Sequence, residues 1–206
     1  MPVETWVLYV LTVLALMSTP GPSQLLMLTN SVTNGLRRGL ATAAGDLTAN
    51  ALQMLAAGLG LAALIAASGA ALTVIKWAGV AYLIWLGLRM IRRANDADVT
   101  ARPKASLKQL WLQGFLTSAA NPKAVVFFAA LFPQFIDAGL PFWPQFLILS
   151  ATYLVVDGCF LTAYGASADW IAKRFRGPAR AWIERLGGGF MILAALLLSL
   201  KSVSRA

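Results

Sequence analysis

The chain has 206 residues, 59% of them hydrophobic and 12% charged, with a formal net charge of +9. A soluble domain carries about 25% charged residues, so an all-α integral membrane protein is expected and a compact soluble fold is excluded. With no histidine, His-based metal sites, His general bases and Ser-His-Asp triads are excluded, and the single Cys159 excludes an internal disulfide.

A membrane helix needs about 20 mostly apolar residues. Trp6 to Thr29 holds no charge and is expected to span once. It starts without a basic n-region and is too long for a signal-peptide core, so it reads as a retained helix. Asn34 to Gly39 follows as a turn, and a second helix is expected from about Gly39 to Leu64. Ser68-Gly69 makes a break. The third helix runs from about Ala71 to Ile91, with Lys76 and Arg89 placed to snorkel at its ends.

Arg92 to Lys108, with Asn95, Asp96, Asp98 and Pro103, is the one clearly polar connector and is expected to be a mobile loop. The fourth helix is expected from about Leu110 to Phe132. Pro133 and the Pro141–Pro144 cluster bracket a short turn, and the fifth helix runs from about Phe142 to Trp170. The basic stretch Lys173–Trp182 reads as an interfacial segment, and the sixth helix covers about Ile183 to Leu200.

Six helices in one transmembrane domain, 1–206, result: repeat one at about 1–91, the polar loop at 92–108 and repeat two at about 109–206. The basic residues cluster at the ends of apolar segments, as cytoplasmic membrane loops do, and this disfavours nucleic acid as a partner. Arg37, Arg38, Arg89, Arg92, Arg93, Arg102, Lys104, Lys108, Lys173, Arg174, Arg176, Arg180 and Arg185 fall on one side, with only Lys76, Lys201 and Arg205 on the other. Both termini are therefore expected in the periplasm. Three helices per half put the second half in the membrane the other way up, as an inverted repeat.

Two features recur in the same order in both halves. A proline-broken stretch comes first: Ser18-Thr-Pro20-Gly21-Pro22 and then Ser118-Ala-Ala-Asn121-Pro122-Lys123, with Leu16, Ser18 and Pro22 matched by Leu116, Ser118 and Pro122. An aspartate in an apolar run follows: Asp46, then Asp157. Proline lacks an N–H and clashes with a carbonyl one turn back. Broken backbone survives in a membrane only when buried in protein or lining a wet cavity. The plainer alternative is a kink that aids packing.

A carboxylate in hydrocarbon costs about 2.5–3.5 kcal/mol on insertion scales, so each aspartate needs a partner or a proton. Lys123, the only lysine deep in an apolar segment, is the expected partner of one of them. A static Lys–Asp pair is the alternative to a proton-handling site. Asn121 can bond freed backbone or a polar substrate, while Gln24, Asn30, Asn50 and Gln53 read first as interhelical glue. Trp6, Trp77, Trp111, Trp143 and Trp170 lie near expected helix ends, as an aromatic belt does.

Together with Gly45-Asp46, Tyr82-Leu-Ile-Trp-Leu-Gly87 and Pro133-Gln134-Phe135, these motifs resemble the lysine exporter family over nearly the whole chain. The branch most similar is that of the threonine, homoserine and homoserine-lactone exporters. The resemblance implies a bacterial inner-membrane exporter of amino acids or their derivatives, driven by proton antiport. It does not fix the substrate.

A secondary active exporter of a small zwitterionic metabolite, first of all a neutral amino acid, is the function these readings converge on. The expected site comprises Asp46, Asp157, Lys123, Asn121, Pro20, Gly21, Pro22, Pro122, Gln24 and Asn50. Half-helix ends at the two breaks would flank it, and Asp46 or Asp157 would meet the α-amino group or carry the proton. The partners are the amino-acid substrate, the proton and the lipid bilayer, with a homodimer allowed. No cofactor or metal is expected. A membrane enzyme is disfavoured because no nucleophile–base spacing is present. A passive channel or facilitated carrier is the alternative, and no Gly-x-x-x-x-Gly-Lys-Ser/Thr loop points to ATP-driven transport.

Overall fold

The computed structural model describes residues 1–60, 69–95, 104–121, 124, 127–128, 132–174 and 178–200. Seven α-helices and one 3-10 turn are present among them, with no strand: α1 (Val3–Ser18), α2 (Pro22–Asn34), α3 (Leu36–Gly58), α4 (Gly69–Asn95), α5 (Leu107–Ala119), a 3-10 turn (Phe132–Phe135), α6 (Phe142–Arg174) and α7 (Pro178–Leu200). Pro122, Lys123, Ser68, the 96–103 stretch of the polar connector, and Arg176, Lys201 and Arg205 lie outside the described residues.

The bundle exposes large apolar side chains and buries a set of polar ones within an otherwise apolar core. Leu8, Leu11, Leu52, Val74, Trp85, Leu147, Val155 and Trp170 are exposed, whereas Gln24, Asn30, Asn34, Thr42, Asp46, Asn50, Thr117, Ser118, Gln145 and Asp157 are buried. In water the exposed leucines would be costly; against lipid they are in their preferred medium. Among the described residues, α6 by itself is long and apolar enough to cross a membrane, and α1 with α2 qualifies as one span bent by 58°. The helix α3 falls short because Thr42, Asp46, Asn50 and Gln53 dilute its apolar content, and all four are turned at least partly inward.

The expected first helix is thus two. Pro20 and Pro22 end it after Ser18, and Pro22 restarts it at the first position of α2, where its missing N–H would have had no partner in any case. The expected fourth helix likewise stops early, at Ala119, with the capping box of Ser106 and Gln109 at its start. The stretch read as interfacial divides between helices: Lys173 and Arg174 end α6, and Pro178 to Trp182 begin α7.

Three helix pairs form the scaffold: α3 on α5, α2 on α6 and α4 on α7. The α3–α5 approach depends on glycine. A Cβ on Gly45 would overlap the Trp111 carbonyl, and one on Gly114 would overlap the Thr42 carbonyl. Without side chains there the backbones touch, as small residues allow between membrane helices. The α2–α3 reversal runs through Gly35 at φ 83, a left-handed conformation that suits glycine.

At this reversal the basic loops meet. Arg38 Nη2 donates to the Ala105 carbonyl at 2.7 Å, and the Ala105 N–H donates to Asn34 Oδ1 at 2.9 Å. The end of α6 joins them, with Asp169 beside Gly35 and paired to Lys173. Near the opposite end, Tyr9, Phe127, Phe128, Phe132, Phe146 and Tyr153 form an aromatic cluster. Beyond it, Gln145 Nε2 donates to the carbonyls of Asp137, Leu140 and Pro141, fixing the turn into α6.

Candidate functional site

The two aspartates, far apart in sequence, meet in the bundle interior. Asp46 sits at mid-length of α3 and Asp157 at mid-length of α6, each 2% exposed. Asn50, one turn beyond Asp46, joins them: its Nδ2 donates to Asp46 Oδ2 at 2.9 Å and to Asp157 Oδ2 at 2.8 Å. Both amide hydrogens are therefore spent on carboxylates. Its Oδ1 accepts from Ser118 Oγ at 2.9 Å. One amide thus links α3, α6 and the end of α5.

These groups border a cavity of about 20 Å³ lined also by Leu16, Met17, Ser23, Gln24, Asn121, Ala124 and Tyr153. A space of roughly 10–15 Å³ or more on this measure admits one water molecule. Two polar atoms on its wall, Asp46 Oδ1 and Ser23 Oγ, are buried, with the Ser23 hydroxyl beside the Asp46 carboxyl and no other group in good hydrogen-bond geometry to either among the described residues. An unsatisfied buried acceptor is costly unless something donates to it.

Both helix breaks abut the cavity. At the first, the Gly21 N–H donates to Gln24 Oε1 at 3.0 Å, and Gln24 Nε2 reaches Met17 Sδ at 3.7 Å, so one side chain spans the break. Ser23 and Gln24 occupy the first turn of α2, where backbone N–H groups lack intrahelical acceptors and the helix dipole favours anions. At the second, Gln53 Nε2 donates to the carbonyls of Ser118 and Ala119 at 3.2 and 3.4 Å, where α5 ends. Gln53 acts there as the glue its residue type suggested.

Of the expected site residues, Asp46, Asp157, Asn50, Gln24 and Asn121 line one cavity. Pro22 is buried beside it, and Pro20 is exposed and Gly21 half-buried, shaping the break without lining the space. Pro122 and Lys123 lie outside the described residues. Sequence reading passed over Ser23, Ser118 and Tyr153 as site residues. Tyr153 precedes Asp157 by one turn and so shares its face of α6. Ser118 had been matched to Ser18 as a repeat, yet Ser18 is exposed and donates to the Leu14 carbonyl at 2.7 Å. The two serines that the sequence aligns do different things.

A family model described as LysE type translocator matches residues 14–202. The homoserine/homoserine lactone efflux protein of Salmonella typhimurium is 38% identical over 202 residues, covering 97% of this chain and 98% of that one. A leucine efflux protein of Klebsiella pneumoniae is 28% identical over 212 residues, covering 97% of each chain. An uncharacterized membrane protein of Vibrio cholerae is 34% identical over 201 residues, covering 97% of this chain and 98% of that one. No solved structure matches the chain.

Proposed function

The chain belongs to the LysE type translocator family, a family of transporters and not of enzymes, and from that premise we propose that it is a secondary active exporter of amino acids or amino-acid derivatives across the bacterial inner membrane, working by proton antiport. The observation that carries the reading is the Asp46–Asn50–Asp157 bridge in a small cavity at the broken helices. Relatives named for homoserine, homoserine lactone and leucine efflux support the substrate class. What those three compounds share is an α-ammonium group on a small neutral body.

The mechanism follows from the acceptors. Asp46 Oδ1 and Ser23 Oγ supply positions for ammonium hydrogens, and the first turn of α2 supplies N–H groups for a carboxylate where the substrate has one. The apolar wall of Leu16, Met17, Ala124 and Tyr153 meets the side chain. A proton and an ammonium group compete for the same carboxylate oxygens, so each displaces the other. Loading on one face and proton capture on the other then give exchange. A cavity of about 20 Å³ does not hold an amino acid, so the helices must part for binding.

Six spans in two inverted repeats fit the packing. In that scheme α1–α2, α3 and α4 form one repeat, and α5 onward, α6 and α7 the other. Exchanging the repeats leaves the α4–α7 pair unchanged and relates the α3–α5 pair to the α6–α1 pair, and both are in contact.

Proteoliposomes containing the purified protein test the function. Preloaded neutral amino acids and homoserine lactone should show counterflow and move protons in the opposite direction. Flux without counterflow indicates a passive channel, and counterflow without proton movement a facilitated carrier.

A further inference from the structure

A second polar layer separates the cavity from the basic end of the bundle. Asn30 Nδ2 on α2 donates to Thr42 Oγ1 on α3 and to Gln113 Oε1 on α5, each at 3.0 Å. One amide thus pins three helices, as Asn50 does at the cavity. On α4, the Tyr82 hydroxyl donates to the Gln113 carbonyl at 3.2 Å and accepts from Thr117 Oγ1 at 3.3 Å.

The register places this layer without ambiguity. On α3, Thr42 precedes Asp46 by one turn and follows Arg38 by one turn. On α2, Asn30 lies two turns past Ser23 and one turn before Asn34. On α5, Gln113 lies between Ala105 and Ser118. At about 1.5 Å of rise per residue, each member stands roughly 6–10 Å from the cavity, always toward the end where Arg38 and Asn34 hold Ala105.

The layer suits an opening better than a fixed brace. Its members are neutral amides and hydroxyls, so water or a passing polar solute can replace each bond in kind, and such exchanges are nearly balanced. The α3–α5 side is fixed by backbone contact at Gly45 and Gly114. By contrast α2 is a short half-helix with the Thr19–Gly21 break at one end and the Gly35 reversal at the other. We propose that Asn30, Thr42 and Gln113 form the gate on the basic-loop side of the cavity, opened when α2 swings away from the α3–α5 pair. This rests on the transporter reading, since a gate presupposes a path.

Thiol labelling of a cavity residue tests it. Ala124 lines the cavity, so Ala124→Cys in a Cys159→Ser background serves as the reporter. Sealed vesicles of both orientations are used, and the face on which Lys104→Cys reacts defines the basic-loop side. Adding Asn30→Ala with Gln113→Ala removes both Asn30 hydrogen bonds and should raise the labelling rate about ten-fold from that side only, a change equivalent to about 1.4 kcal/mol. An unchanged rate, or a rise from the opposite side, overturns the proposal.

Should the alanine pair fail to fold, Asn30→Cys with Thr42→Cys, bridged by a short bifunctional reagent before labelling, gives the converse test. Bridging should slow labelling about ten-fold from the basic-loop side, with recovery on reduction; labelling unaffected by a verified bridge overturns the proposal. Accessibility is read without reference to any solute, so a wrong substrate class leaves the result interpretable.

Discussion

Asn50 donates to both aspartates at once, one amide hydrogen to each. Asn50→Leu keeps the volume but leaves Ser118 Oγ and both carboxylates short of a partner. It should destabilise the protein by about 1–3 kcal/mol, seen as an earlier loss of the monodisperse peak on heating in detergent. Ser23 lines the cavity with its hydroxyl beside the Asp46 carboxyl, so Ser23→Ala should raise KM for export. Unchanged KM would remove Ser23 from the substrate site. The aspartates were legible in the sequence because a charge in an apolar run is conspicuous. Ser23, Ser118 and Tyr153 were not, because small hydroxyl residues and tyrosine are ordinary in such helices and only their meeting in space distinguishes them.

At the scale of elements, the breaks were legible and the lengths were not. Apolar character runs unbroken through Trp6–Thr29, so hydropathy joins what Pro20 and Pro22 divide into α1 and α2. In the other direction, α6 extends to Arg174 because Asp169 and Lys173 pair one turn apart and carry the helix past the apolar run. The helix pairings were hidden, since they depend on which glycines face one another. Pro22→Ala frees the backbone at the first position of α2, beside the cavity, and should lower export far more than membrane expression; equal losses would favour the packing kink. Gly114→Leu places a side chain against the Thr42 carbonyl and the Asp46 N–H. Overpacking of that kind costs about 1–3 kcal/mol or more, and reduced yield of folded protein checks it.

At the scale of the whole molecule, the charge asymmetry that suggested an orientation has a structural counterpart. The α2–α3 turn, the start of α5 and the end of α6 adjoin one another, bringing Arg37, Arg38, Lys104, Lys108, Lys173 and Arg174 to one end. If that end faces the cytoplasm, a cysteine at Asp98 in the Cys159→Ser background will be shielded from impermeant reagents in intact cells, and labelling from outside would reverse the orientation. The central claim is that a carboxyl group shared between the two halves of the chain couples the substrate to the proton. Export driven by a pH gradient, measured in proteoliposomes for the wild type, Asp46→Asn, Asp157→Asn and the double variant, tests it most directly. At least one single variant, Asp46→Asn above all since it follows the Pro20–Pro22 break, should lose pH-driven export while substrate counterflow persists. Full pH-driven export in both single variants and in the double variant would contradict the claim and leave the aspartates as ties between helices.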